Sequence, residues 1–119
     1  MTIPEYLAQA RALGEDYQLA INALADEFRR APEEAKRALV ETSIPQGEWL
    51  EALFAAVVSY LCHEACIPPP AWVEGITSPT PHFVLPARGF AMRARLLLES
   101  PPPFRNRQVF VPENYLRRA

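Results

Sequence analysis

The chain has few glycines, cysteines and histidines, and each scarcity removes a class of chemistry. Its four glycines are scattered, so it has no glycine-rich loop of the kind that cradles phosphate. It also has no paired-aspartate motif of the kind that holds magnesium for nucleotide transfer. With two cysteines and two histidines it lacks the ligands for a convincing zinc site and the cysteines for a disulfide scaffold. These absences predict a protein that is not an enzyme and that needs no metal or cofactor.

The two cysteines, Cys62 and Cys66, are four residues apart in a segment with helical character and so share one face. The favoured interpretation is a pair of plain buried thiols, and a redox-sensitive pair or a metal site are the alternatives. His63 follows Cys62 directly, and neighbouring helical side chains point about 100° apart. A catalytic Cys62–His63 dyad is therefore disfavoured.

The chain also lacks a long hydrophobic run. The most apolar stretch, residues 52–62, is too short to span a bilayer. The first residues are acidic and have no basic region typical of a secretory signal. Because the chain has 119 residues, of which 50% are hydrophobic and 22% charged, we expect one folded domain over residues 1–119 that is soluble and cytoplasmic.

The fold class predicted is mostly α, a small helical domain with a body at residues 1–67. Capping residues, prolines and the apolar period predict helices over about 2–13, 15–30, 32–42 and 45–66, with a capping box at residues 43–46 opening the last. This fourth helix is apolar around most of its circumference and is the expected core. Glu48 and Glu51, in its opening turns, are assigned to solvated or capping roles.

Residues 68–119 differ in character from the body, because ten of the thirteen prolines lie at 68–112. We expect a short helix over 89–99 that ends at the prolines 101–103, an extended segment at 108–111 and one helical turn at 114–118. Aromatic residues spaced along this tail predict that it packs across the body; the alternative is a tail that orders only on a partner. These aromatics are Trp72, Phe83, Phe90, Phe104, Phe110 and Tyr115.

Charge divides the chain at about residue 74. Residues 1–74 carry 12 acidic and 5 basic side chains, whereas residues 75–119 carry 2 acidic and 7 basic ones, all arginine. A guanidinium pairs bidentately with carboxylate or phosphate. The arginines therefore pair with the body's own carboxylates, bind an acidic partner protein, or bind nucleic-acid phosphate. The candidate partner-binding residues are Arg93, Arg95, Arg105 and Arg107, with Phe104 and Phe110 as apolar anchors.

The segment at 100–111 reads Ser-Pro-Pro-Pro-Phe-Arg-Asn-Arg-Gln-Val-Phe-Val. It resembles a C-terminal signature of small bacterial proteins in which serine-proline precedes Phe-Arg-Arg-Arg and an apolar-Phe-apolar strand. Residues 49–53, 70–72, Asn114 and Leu116 extend the likeness to about 49–119. Asn106 departs from the pattern, since an arginine is usual there. Members of this family look like companions of predicted nucleotidyltransferases, an arrangement similar to a toxin–antitoxin pair.

The resemblance implies a non-enzymatic, antitoxin-like interaction protein that binds and restrains a partner through its arginine and aromatic C-terminal face. That partner would be a nucleotidyltransferase-type enzyme. Some relatives carry a helix-turn-helix domain, but residues 1–45 do not match one, so DNA binding does not carry over. A nucleic-acid-binding regulator that uses the same arginines on phosphate is the alternative function, and the apolar fourth helix leaves a homodimer open.

Overall fold

The computed structural model describes residues 1–84, 90–112 and 115–116. Residues Arg88, Arg117 and Arg118 and the side chain of Phe90 lie outside this description, as does most of the helical turn predicted at 114–118. The helices are α1 (Ile3–Leu13), α2 (Gln18–Arg30), α3 (Glu33–Glu41), α4 (Trp49–Glu64), α5 (Phe90–Glu99) and α6 (Pro102–Arg105). Two short strands are β1 (His82–Phe83) and β2 (Val109–Phe110), and 3-10 turns cover Gly14–Asp16 and Ala71–Gly75. The prediction of a mostly helical small domain is confirmed.

The N-terminal end of α1 follows its sequence signal. The Thr2 hydroxyl accepts a hydrogen bond from the backbone N–H of Glu5, and the Glu5 carboxylate accepts one from the Thr2 N–H. Together they make the predicted capping box. The helix ends at Gly14, whose φ of 60° lies in the left-handed region that glycine adopts without a Cβ clash. A 3-10 turn then leads into α2, which begins at Gln18 and not at Glu15.

Helix α4 is the core of the molecule, since 11 of its 16 residues are buried. It begins at Trp49, four residues later than predicted, and the capping box expected at residues 43–46 is wrong. The Glu51 carboxylate accepts a hydrogen bond from the Glu48 N–H at 2.8 Å and also pairs with Arg11 of α1. This buried carboxylate therefore caps the helix from within, which sets the start of α4 at Trp49.

The proline-rich tail packs on the body, as predicted. Several of its apolar side chains belong to the same hydrophobic core as α1, α2 and α4, among them Val73, Phe104, Val109, Val111 and Leu116. The prolines at 101–103 end α5 as expected, but they also open α6, because proline suits the first turn of a helix. Strand β1 pairs in parallel with β2, with His82 opposite Val109 and Phe83 opposite Phe110. The sequence did not predict this pairing.

Polar contacts fasten the tail to the helical body at both ends. The Trp72 indole N–H donates to the carbonyl of Val40 at 2.9 Å. Near the other end, the Arg29 guanidinium binds the two carboxylate oxygens of Glu64 at 2.9 and 3.2 Å and donates to the carbonyl of Leu116 at 2.8 Å.

Among the described residues, no helix has the length and hydrophobicity that a membrane span requires.

Candidate interaction surface

The six candidate partner-binding residues of the tail separate into buried and exposed sets. Phe104, Arg107 and Phe110 are buried, whereas the other three arginines are exposed. The exposed ones are Arg93, Arg95 and Arg105. The sequence predicted one shared surface for these six residues, whereas the structure buries three of them and exposes the other three.

Phe104 is a core residue. Its side chain is fully buried, and its ring centroid lies 5.9 Å from that of Tyr60 on α4 and 5.6 Å from that of Tyr115 near the end of the tail. Helix α6 carries it into the body, so Phe104 holds the tail against α4 and is not presented to a partner in this conformation.

Arg107 is 8% exposed and bonds to backbone carbonyls. Its Nε and one terminal nitrogen donate to the carbonyl of Val73 at 3.2 and 2.9 Å, and the other terminal nitrogen donates to the carbonyl of Pro103 at 2.8 Å. Burial lowers the pKa of its guanidinium, and the negative charge of Glu74 acts in the opposite direction. Arg107 thus ties the 3-10 turn at Ala71–Gly75 to the start of α6.

Arg93 and Phe110 both contact Phe83 of the small sheet. The guanidinium carbon of Arg93 lies 5.6 Å from the centroid of the Phe83 ring, a cation–π contact. The Phe83 ring stacks on Phe110 with centroids 5.2 Å apart, and Leu96 of α5 packs against Phe110. Helix α5 therefore sits on β1 and β2 through a hydrophobic cluster separate from the main core.

The two remaining arginines are exposed on different helices. Arg95 pairs with Glu99 one turn along α5, with an N–O distance of 3.0 Å. Arg105 is the last residue of α6, and within 4.0 Å the described residues offer it no ion-pair partner. Neither matches the expectation that the arginines pair with carboxylates of the helical body.

Helix α5 carries an apolar surface that faces solvent. Leu98 is 81% exposed and Leu97 is 43% exposed. On a helical projection Ala94, Leu97 and Leu98 fall within an arc of about 100°. Arg93 lies about 40° beyond one edge of this arc and Arg95 about 60° beyond the other. We call these five residues the α5 surface.

The sequence signal for the α5 surface lies in its leucines and not in its arginines. Three consecutive leucines, at positions 96, 97 and 98, cannot all face inward on one helix, because successive side chains turn by about 100°. The structure buries Leu96 and leaves the next two in solvent. Leu97 and Leu98 thus form an apolar face that the described residues leave exposed.

The two cysteines have different environments. Cys62 is buried, as predicted, but Cys66 is exposed, which corrects the interpretation of both as buried thiols. Cys66 follows the end of α4 with a φ of 59°, and this left-handed backbone turns its side chain off the buried face of the helix. Burial raises the pKa of Cys62 to about 11, while the positive charge of Arg37 lowers it by a smaller amount.

Thiol labelling checks this assignment. At pH 8 we expect a disulfide reagent to modify Cys66 rapidly and Cys62 slowly, since only about one thousandth of a thiol with a pKa near 11 is ionised at that pH. The Cys66→Ser variant should lose the fast phase and the Cys62→Ser variant should keep it. Fast modification of Cys62 in the folded protein would contradict the burial of its thiol.

Within residues 1–84, 90–112 and 115–116, no three or more His, Cys, Asp or Glu side chains are grouped so that they could hold a metal ion. Comparison of the chain with protein-family models, with curated proteins and with solved structures finds no match.

Proposed function

We propose that this chain is a cytoplasmic, antitoxin-like binding protein that docks the α5 surface onto an acidic partner protein and restrains it. The observation that carries the proposal is the exposure of Leu97 and Leu98 between two arginines. Burying a leucine side chain yields roughly 1.5–3 kcal/mol, so two exposed leucines give a partner a substantial gain.

The charges define the kind of partner. Arg93 and Arg95 border the apolar arc on both sides, and arginines at the edge of an interface select carboxylates on the opposing protein. The expected partner surface is an apolar groove with acidic rims, which receives α5 as a helix in a groove. The acidic or metal-binding cleft of a nucleotidyltransferase-type enzyme fits this description, and the family resemblance of residues 100–111 supports that choice.

Buried tail residues supply the frame for this docking. Phe110 holds α5 through Leu96, and Arg93 is positioned by its contact with the Phe83 ring. A docking helix held in place before binding loses less conformational entropy when it binds. In this proposal Phe104 and Arg107 serve the interaction indirectly, by fixing the tail to the body.

A pair of leucine variants tests the proposal. The tagged protein captures partners from its native host with and without nuclease, and the affinity of the retained protein is then measured for Leu98→Glu and Leu19→Glu. Leu19 is also exposed, at 60%, but lies on α2. We expect Leu98→Glu to weaken binding more than tenfold, because it buries a carboxylate against an acidic rim, and Leu19→Glu to change it less than twofold.

Three results would contradict the proposal. They are equal affinities for the two variants, the absence of a stoichiometric protein partner, and loss of the captured material on nuclease treatment. The last result, together with binding that weakens steeply as salt rises, would favour the nucleic-acid alternative, in which the arginines contact phosphate.

A further inference from the structure

A groove separate from the α5 surface lies where the end of α4 meets the start of α6. It encloses about 460 Å³, which is within the usual range for a small-molecule site. Tyr60 and His63 of α4 line one side, and the three prolines at 101–103 line the other. Most of this lining is hydrocarbon or aromatic ring, so the groove suits the apolar body of a ligand.

Arg107 also lines this groove, and the residue is more than nine-tenths buried. A guanidinium has five N–H donors. Three of them are engaged by the carbonyls of Val73 and Pro103. The hydrogen bonds of the described residues leave two donors, and no carboxylate of the described residues lies within 4.0 Å of the guanidinium. A buried guanidinium whose hydrogen bonds go to carbonyl oxygens remains a cation, and an anion that reaches it gains a charge-assisted hydrogen bond.

A negative charge in the lining limits the kind of anion that the groove can bind. Glu74 lines the groove and is exposed, and its charge acts on Arg107. Its repulsion penalises a doubly charged phosphate about twice as much as a singly charged carboxylate. A single planar guanidinium also matches the two oxygens of one carboxylate. The groove therefore favours a monoanion with an apolar body.

We propose that this groove binds a small carboxylate, with the carboxyl group at Arg107 and the apolar body between Tyr60 and the prolines at 101–103. The binding is reversible and involves no covalent step. It uses residues outside the α5 surface, so it stands or falls independently of the partner protein proposed above.

Titration of the protein with phenylacetate tests this site, with phenylacetamide as the control of nearly the same shape but without charge. We expect saturable binding of phenylacetate to one site. Calorimetry measures this binding, and amide chemical shifts should change at the ends of α4 and α6. Phenylacetamide should bind at least tenfold more weakly. No saturable binding, or equal binding of the two probes, would overturn the proposal.

Two variants locate the binding. His63 is exposed on α4, so His63→Trp fills the groove without disturbing the core, and it should weaken phenylacetate binding at least tenfold. The matched control, Leu19→Trp, places the same side chain on α2 and should leave binding unchanged. Arg107→Lys, which keeps the charge but loses the fork, should weaken binding at least fivefold if it folds. Unchanged phenylacetate binding in His63→Trp would place the probe elsewhere and refute the site, whatever Arg107→Lys does.

Discussion

Replacing Phe104 with alanine is expected to lower the free energy of unfolding by about 3–5 kcal/mol. The side chain is fully buried between Tyr60 and Tyr115, so its removal leaves a cavity between the tail and α4. Because Phe104 is one of the core side chains that hold the tail against α4, we also expect residues 105–112 to become less protected. Urea unfolding followed by circular dichroism measures the first effect, and hydrogen exchange the second.

The matched control for Phe104→Ala is Phe110→Ala. Phe110 is also buried, but it packs in the small cluster with Leu96 and the partly exposed Phe83, so its loss should cost less. A loss below about 1 kcal/mol for Phe104→Ala would contradict its assignment to the core. Equal losses for the two variants would show that the small cluster is as important to global stability as the main core.

Replacing Arg107 with methionine is expected to cost about 2–3 kcal/mol, whereas Arg105→Met should stay within about 0.5 kcal/mol. Methionine fills much of the same volume but leaves the carbonyls of Val73 and Pro103 without their charged donor. Arg105 is exposed and makes no ion pair with the described residues, so its loss removes little. The two residues are of one type and two positions apart, which makes the comparison well matched.

The same urea titration measures both arginine variants. A change in the slope of unfolding free energy against urea would indicate that the tail detaches, whereas an unchanged slope with a lower midpoint indicates a loss of stability alone. Similar stabilities for Arg107→Met and Arg105→Met would contradict the structural role assigned to Arg107.

Local signals in the sequence predicted most of the helices. The capping box at Thr2 and Glu5, the apolar circumference of α4 and the short helix now seen as α5 all follow from patterns within a few residues. The predicted start of α4 is wrong because Glu51, which caps the helix, pairs with Arg11, forty residues away. The pairing of β1 with β2 also depends on contacts that are distant in sequence. Two-residue strands carry little local pattern and depend on the surrounding core.

The burial of individual tail arginines could not be predicted from the sequence. Arg105 and Arg107 stand in one motif, and nothing in their local sequence says that one is exposed and the other buried. The difference arises because Arg105 ends α6 while Arg107 follows in a turn directed at the carbonyls of Val73 and Pro103. Conversely, the three consecutive leucines at 96–98 did carry a usable signal, because one helix cannot bury them all.

We propose that α5 is the surface this protein presents to a partner. Hydrogen exchange, measured on the chain alone and in complex with the protein captured from its host, tests this proposal. We expect increased protection at residues 90–99 upon binding and little change in α2 and α3. Protection confined to α2 or α3, with residues 90–99 exchanging as fast as in the free chain, would contradict it.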